Sequence, residues 1–523
     1  MLLVFAIGSI GVAANAYATA GRVPNFIFTL IISGALTAVL VPQITKAAMR
    51  PDRGQAYIQK FLTLTLVVGS GLTLLTMLAT VPLIHALTPG WSENQRGLAV
   101  IFALWLAPQV LFFALFAIAG EVLNARSLFG PYAWAPVLNN LVQILGLIIF
   151  CVLFGSDSNG SLGTDALASG DARFGFGGQL LLAGFATLGI AAQAIILFLF
   201  FKRAGVQFRL DFNWRGVGLR ETGKVASWQF GSVVIAQVLS LFHAAAMNRA
   251  LPHEIGLAAA EFAGIIYVLP HAIIVVSLTQ ASFTSMSEAA NRHDYAVFKS
   301  NLSRALSLTV LTMLWCAIVL IILPFEVSRI FQPSANYAAI SSVGLALLVS
   351  MLCLVPFSLH FVLIRGFYAL SDTRTPFLVT AGQAALGFIF TAVMFTVPSS
   401  AVTLAVTGSI AVLYFAQLAV IWWLLQRRIG VFSGAVFIQD TVKSLLAIAV
   451  AGLGGWLVLS FLRGGVFTFI PAPHQIPNVP SSIAFCAAVI LVTGSLYFIL
   501  LKFMGHSTFT VLFQKILTKK SRH

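Results

Sequence analysis

The basic residues of this chain avoid its long apolar runs and gather in every second gap between them. Lys and Arg near the ends of membrane helices are retained on the cytoplasmic side, so this alternation predicts a chain threaded back and forth about fourteen times. The runs include 61–87, 98–119, 180–201, 306–323, 338–364, 404–425 and 483–501. Each is long enough to cross a hydrocarbon core of about 30 Å as a helix. They lack the alternating apolar and polar residues of barrel strands, which excludes a β-barrel. Composition agrees: 59% of the residues are hydrophobic and only 9% are charged, against about 25% charged in soluble domains.

All but six of the 30 Lys and Arg fall in one set of gaps and a basic tail, and the six are Arg22, Arg96, Arg173, Arg249, Arg329 and Arg463. The rich gaps hold, for example, Lys46, Arg50, Arg53 and Lys60, and later Lys202, Arg203, Arg209, Arg215, Arg220 and Lys224. This orientation puts the C-terminus of a multi-pass membrane protein in the cytoplasm. The net charge of +15 is spread over loops facing an anionic leaflet, so it argues against a nucleic-acid partner. Cys151, Cys316, Cys353 and Cys486 lie inside apolar runs without paired spacing and read as small core residues, not as a disulfide or a metal site. The apolar stretch that opens at Met1 is too short to span and lacks a signal peptide's basic start, so it reads as a first helix that has lost its beginning.

Segments with helix breakers recur at nearly constant spacing. Arg22-Val-Pro24-Asn25 parallels Val268-Leu-Pro270-His271, with prolines 246 residues apart. Leu123-Asn-Ala125-Arg126-Ser-Leu-Phe-Gly-Pro131 parallels Tyr368-Ala369-Leu-Ser-Asp372-Thr-Arg374-Thr-Pro376, with alanines 244 and prolines 245 apart. Six helices separate the copies, so both copies enter the membrane in the same direction, and the halves should be related by an axis along the membrane normal with a cavity between them. The expected fold is all-α and integral to the membrane, with two pseudo-symmetric six-helix lobes and two further helices. The lobes fall at 1–204 and 225–430, joined by a cytoplasmic linker at 205–224; helices 13 and 14 occupy 431–505, and a basic tail 506–523.

No P-loop, HExxH, GxSxG or carboxylate pair beside a nucleophile occurs, so the chain reads as a transporter and not an enzyme, with no catalytic residues, metal or cofactor. Polar groups at membrane depth are costly unless they face a partner or a wet cavity, which makes them site candidates. Asn15, Arg22 and Asn25 on one stretch suit an anionic headgroup, although an arginine near a helix end also snorkels. His243, Glu261 and His271, on consecutive helices, suit a polar ligand or a proton relay, or simply hydrogen bonds between helices. Pro24, Gly34 and Pro270 are candidate hinges. Glu121 and Arg126, with Arg365, Asp372 and Arg374, occupy equivalent cytoplasmic helix ends and could pair between halves to close a gate, or stand as independent solvated ends. Asn139, Asn140 and Gln143 read as glue between helices.

These segments, together with Asn15-Ala-Tyr-Ala-Thr-Ala-Gly-Arg22, Gly34-Ala-Leu-Thr-Ala-Val-Leu-Val-Pro42 and Ala135-Pro136-Val-Leu-Asn139-Asn140, resemble the MurJ (MviN) lipid II flippase family of the multidrug/oligosaccharidyl-lipid/polysaccharide exporter superfamily, most of all its actinobacterial members. The resemblance runs from Ile7 to the tail. It implies fourteen helices, two lobes around a central cavity, and a C-terminal helix pair forming a groove for an undecaprenyl tail. The implied activity is flipping of the lipid-linked peptidoglycan precursor to the outer leaflet, coupled to membrane potential or an ion gradient. Implied partners are lipid II or a related polyprenyl-pyrophosphate lipid, membrane lipids and proteins of cell-wall synthesis.

Arg22, Asn25, Gly34, Pro42, Pro136, Asn139, Asn140, Pro270 and Pro376 match the family pattern. Where many members place two arginines and a glutamate, this chain has Phe28, Thr29 and Ser33; Gly264 and Ile265 stand for an Asp-Arg pair, and Asn15 for an Asp. The arginines expected on the first helix would lie upstream of Met1. Arg22, with Arg249, Arg365, His243 or His271, would then carry the pyrophosphate. Two other readings stay open: export of another polyprenyl-linked saccharide, and a non-transporting scaffold for cell-wall enzymes.

Overall fold

Inside a bilayer an unpaired backbone amide or carbonyl has no water to turn to, so every apolar run closes its own hydrogen bonds as a helix. The computed structural model describes residues 1–30, 52, 54–160, 171–207, 209–213, 219–432, 434–465 and 467–511. Its regular elements among those residues are all helices, and twelve of the helical segments are long and apolar enough to span a membrane. A short α1 (Leu2–Ile7) and α2 (Val12–Leu30) precede them.

In the first unit, Met1–Ala258, α3 (Gln55–Leu87) is followed by α4 (Glu93–Leu106) and α5 (Gln109–Ala125), which together make one crossing. Next come α6 (Phe129–Phe154), then α7 (Phe176–Gln179), a π turn (Leu180–Gly184) and α8 (Phe185–Leu199), and finally α9 (Leu219–Met247). The second unit, Ala259–His523, contains most of α10 (Leu257–Pro270), whose crossing continues through a π turn (His271–Val275) into α11 (Val276–Asn291). It goes on with α12 (Tyr295–Ile322), a short α13 (Pro324–Phe331), α14 (Tyr337–Ala369), α15 (Arg374–Met394) and α16 (Ser399–Ile429). The last pair is α17 (Ala435–Leu462) and α18 (Val479–Phe503).

The division at Ala258 puts α9 with the first unit, whereas the repeat placed residues from 225 onward in the second lobe. The physical reason is a polar seam. Asn15, Thr19 and Arg22 share one face of α2, and each bonds to α9 or the segment after it. The Arg22 guanidinium donates to Ser240 Oγ at 2.6 Å. Asn248 Nδ2 donates to Thr19 Oγ1 at 3.0 Å and to the Leu87 carbonyl at 2.8 Å, and Trp91 donates to the Asn248 carbonyl. Asn15 Oδ1 accepts from the Ala258 N–H at 3.0 Å, satisfying an amide in the first turn of α10 that has no partner within its own helix. Bonds between helices of this kind contribute about 0.6 kcal/mol each in membrane proteins, so the seam acts by number and register.

One left-handed turn recurs at helix ends, at His293 after α11 as well as in the two paired segments. Helices α5 and α14 end in the same left-handed motif: Ser127 and Ser371 have φ of 60° and 59°. The N–H of Leu128 reaches back to the Leu123 carbonyl at 2.9 Å, and that of Asp372 to the Phe367 carbonyl at 3.0 Å.

Large apolar side chains cover the outside, Leu78, Val152 and Phe503 among them, because the solvent for these faces is hydrocarbon. Helices approach where one partner is small. Gly454 and Gly455 of α17 receive Leu496 and Thr493 of α18, and Gly452 receives Ile318 of α12. The C-terminal pair is thereby fastened to α12, where buried Tyr497 donates to the Leu311 carbonyl at 3.1 Å. A second fastening joins Arg463, at the end of α17, to Glu326 of α13.

Candidate functional site

The candidate residues of the first unit collect on and around α2. Its apolar stretch carries Arg22 and Asn25 three positions apart, on one face of the helix. Arg22 is half-buried and Asn25 exposed. Ser240, which receives the guanidinium, lies one turn before His243 on α9, so the charge and the imidazole share one neighbourhood. His243 Nε2 is buried and has no hydrogen-bond partner among the described residues. Pro24 lies inside α2 and is buried. Asn15 is 3% exposed, with its carbonyl oxygen spent on Ala258. Phe28 stacks on Phe113 with ring centroids 4.0 Å apart. Gly34, Ser33 and Pro42 lie outside the described residues, as does part of the 205–224 linker.

In the second unit, Pro270 ends α10 and the helix widens into the π turn that begins at His271. A π turn inserts one residue per turn and frees local backbone groups, and such turns gather at functional sites. The 4%-exposed His271 lies with Nδ1 3.0 Å from Ser358 Oγ of α14. Its ring packs on Phe357 and Phe361, with centroids 4.4 and 5.1 Å away. Tyr267 donates to Cys353 Sγ at 3.7 Å, and Tyr414 closes the cluster edge-on against Phe357 and His360. His360 Nε2 is buried without a hydrogen-bond partner among the described residues. Glu261 is half-buried on α10, on the same crossing as His271 and ten positions before it, not on a neighbouring helix. His271 is therefore joined to α14.

The five helix-end candidates divide as follows. Glu121 lies at the end of α5 with Asn124 as its hydrogen-bond partner, beside the Phe116 and Tyr132 rings stacked at 5.0 Å. Arg126 caps α5. Arg365 lies over the rings of Phe361, Tyr368 and Phe283 at 5.2, 6.0 and 5.9 Å, distances at which a guanidinium is attracted to a ring face. Asp372 Oδ1 accepts from the Thr375 N–H at 3.0 Å and so caps α15, while Arg428 pairs with its other oxygen. Burial pushes the Asp372 carboxyl up, but the Thr375 bonds and Arg428 outweigh it and hold it below the usual aspartate range. Arg374 is exposed at the start of α15.

Asn139 and Gln143 of α6 bond to each other at 2.7 Å and pack on Gly189 of α8, in keeping with a role between helices. Among the described residues, no group of three or more His, Cys, Asp or Glu is placed to hold a metal. Sequence reasoning missed Ser240, Ser358, His360 and Arg428. A hydroxyl or imidazole facing a partner about ninety to two hundred positions away leaves no local signal; the one available hint was that His360 interrupts an otherwise apolar run.

The family model described as lipid II flippase MurJ matches residues 6–474. A probable lipid II flippase MurJ of Synechocystis sp. is 26% identical over 457 residues, covering 86% of this chain and 81% of the relative. One from Rhizobium tropici is 24% identical over 504 residues, covering 89% and 90%. Among solved structures, a lipid II flippase MurJ in an inward closed conformation matches with a TM-score of 0.67 at 16% identity, covering 94% of this chain and 93% of that one. An inward-facing MATE-family multidrug resistance transporter of the MOP superfamily matches with a TM-score of 0.62 at 14% identity, covering 81% and 94%.

Proposed function

Because the chain belongs to the MurJ family of lipid II flippases, we propose that it carries the undecaprenyl-pyrophosphate-linked peptidoglycan precursor from the cytoplasmic to the outer leaflet by alternating access. It acts as a transporter in cell-wall biogenesis, with its C-terminus in the cytoplasm. The observation that carries this reading toward chemistry is the Arg22 group. A guanidinium held by Ser240, with the unpartnered Nε2 of His243 a turn away, offers directed donors to a pyrophosphate in a region where isolated charge is costly. Pro270 and the π turn after it supply a place for the crossing to bend as access alternates. The driving force on this reading is membrane potential or an ion gradient.

Complementation tests it: the chain is expressed in a bacterium depleted of its own lipid II flippase. Rescue by the wild type and loss of rescue by a membrane-inserted Arg22→Ala variant are expected; equal rescue by both would remove Arg22 from the reading. A second reading, flipping of another polyprenyl-linked saccharide, is favoured by one observation. Phe28 stacks on Phe113 where many relatives carry an arginine, so part of the binding surface is apolar. Failure to rescue by a well-inserted chain favours that reading or the non-transporting scaffold.

A further inference from the structure

A cavity of about 370 Å³ opens in the second unit, where the first turns of α12 and α17 meet the segment that follows α18. The basic residues of the sequence assign these helix ends to the cytoplasmic side. One wall is a single face of α12, formed by Ser300, Ser303, Arg304 and Ser307 at helical spacing i, i+3, i+4 and i+7. None of these four side chains has a hydrogen-bond partner among the described residues. Their freedom is specific, because Thr309 and Thr312 on the same helix each return their hydroxyl to the carbonyl four residues back, at 2.8 Å. Back-bonding of this kind is one of the two common states of a helical serine or threonine, the other being to point outward.

The facing wall is Asp440 of α17, 3% exposed. Its carboxylate is already spent: it accepts from the backbone N–H groups of Ser507 and Thr508 at 3.1 and 3.2 Å, and from both their hydroxyls. His506 Nδ1 stands 3.4 Å from it. The unspent groups of the cavity are therefore one guanidinium and three hydroxyls, each with a hydrogen to donate and none carrying negative charge. A guanidinium with three hydroxyls free to donate, beside a carboxylate already engaged, suits a ligand that carries several anionic oxygens.

The geometry points to a binding site for the phosphodiester of an anionic glycerophospholipid of the cytoplasmic leaflet. The class follows from the setting. Val436 lines the cavity and is 60% exposed, and Phe503, which ends α18 four positions before the lining residue Ser507, is 84% exposed, so the lining includes apolar surface on which acyl chains can rest. Lys299 and Lys443 stand within a turn or so of the cavity on α12 and α17, adding positive potential that favours an anionic over a zwitterionic headgroup. A volume of about 370 Å³ is within the usual range for small-ligand sites. The lipid would bridge α12 to the C-terminal helix pair, a role separate from the substrate path through α2.

The test uses the full chain, purified and stripped of lipid in detergent, titrated with phosphatidylglycerol, phosphatidylcholine or inorganic phosphate and read by native mass spectrometry. The wild type should retain phosphatidylglycerol and not phosphatidylcholine, with millimolar phosphate failing to displace it. Arg304→Ala should lower occupancy about tenfold, the size of one lost charge-assisted pair, and Arg304→Lys should recover part of it. Ser307→Leu, which fills the cavity with an apolar group, should lower occupancy as well while the melting temperature stays within a few degrees. Equal phosphatidylglycerol retention in wild type, Arg304→Ala and Ser307→Leu would overturn the site. Equal retention of phosphatidylcholine, or displacement by phosphate, would overturn the lipid as its ligand.

Discussion

Glu326 accepts two hydrogen bonds from Arg463, 137 positions away, at 2.8 and 2.5 Å, with the two side chains 1% and 3% exposed. Burial pushes the Glu326 carboxyl up against the pull of the guanidinium, so the pair holds as an ion pair only while both members stay together. Breaking such a pair strands a buried charge at about 3–5 kcal/mol, whereas replacing both members by apolar groups can be neutral. Glu326→Gln and Arg463→Met are each expected to lower the melting temperature of the detergent-solubilised protein sharply. The double variant Glu326→Leu/Arg463→Met should recover most of the loss. Additive single effects would show that the residues do not act as a pair.

Ser127 and Ser371 hold left-handed backbone at equivalent positions of the repeat. That conformation costs an L-residue about 1 kcal/mol relative to glycine. Glycine at either position should therefore raise the melting temperature slightly, and valine should lower it by more. A valine variant as stable as the wild type would contradict the shared turn.

Gly256 precedes α10 with the Asn15 side chain directly above it, so a Cβ there would lie 2.6 Å from Asn15 Oδ1. Gly256→Ala is expected to cost about 1–3 kcal/mol through this clash. In Gly256→Ala/Asn15→Ala part of the cost should return, because the obstructing amide is gone. A double variant less stable than the sum of the single effects would place the clash elsewhere.

Asp372 is held below the ordinary aspartate range. A depressed folded pKa adds stability above the unfolded value of about 3.9, and this is lost as pH falls through the folded value. Asp372→Ala, which also removes the cap of α15, should cost about 1 kcal/mol at pH 7. The gap between variant and wild type should narrow in melts taken at about pH 3 and below. A gap that widens on acidification would give the shift the opposite sign.

How much of this was legible in the sequence depends on range. The crossings and the turns at 127 and 371 follow from periodicity and from a local repeat, both carried by neighbouring residues. Pro270 marked the site of a bend, but the π turn at His271 depends on how α10 packs, which periodicity does not record. Arg463 read as a stray basic residue in an outward gap, because its partner Glu326 lies on a short helix with no signal of its own. Asn15 and Asp372 were read as substrate and gate residues from their chemistry; the structure shows their oxygens engaged by helix N-termini, a use that depends on tertiary placement.

The central claim is that this chain moves lipid II across the membrane, and its most direct test is the fraction of lipid II exposed at the outer surface of cells in which this chain replaces the resident flippase. An enzyme that cleaves only outward-facing lipid II reads that fraction. The account predicts that exposure returns with the wild-type chain and falls with Arg22→Ala at equal membrane insertion. Lipid II that stays inaccessible while the wild-type chain is fully inserted would contradict it.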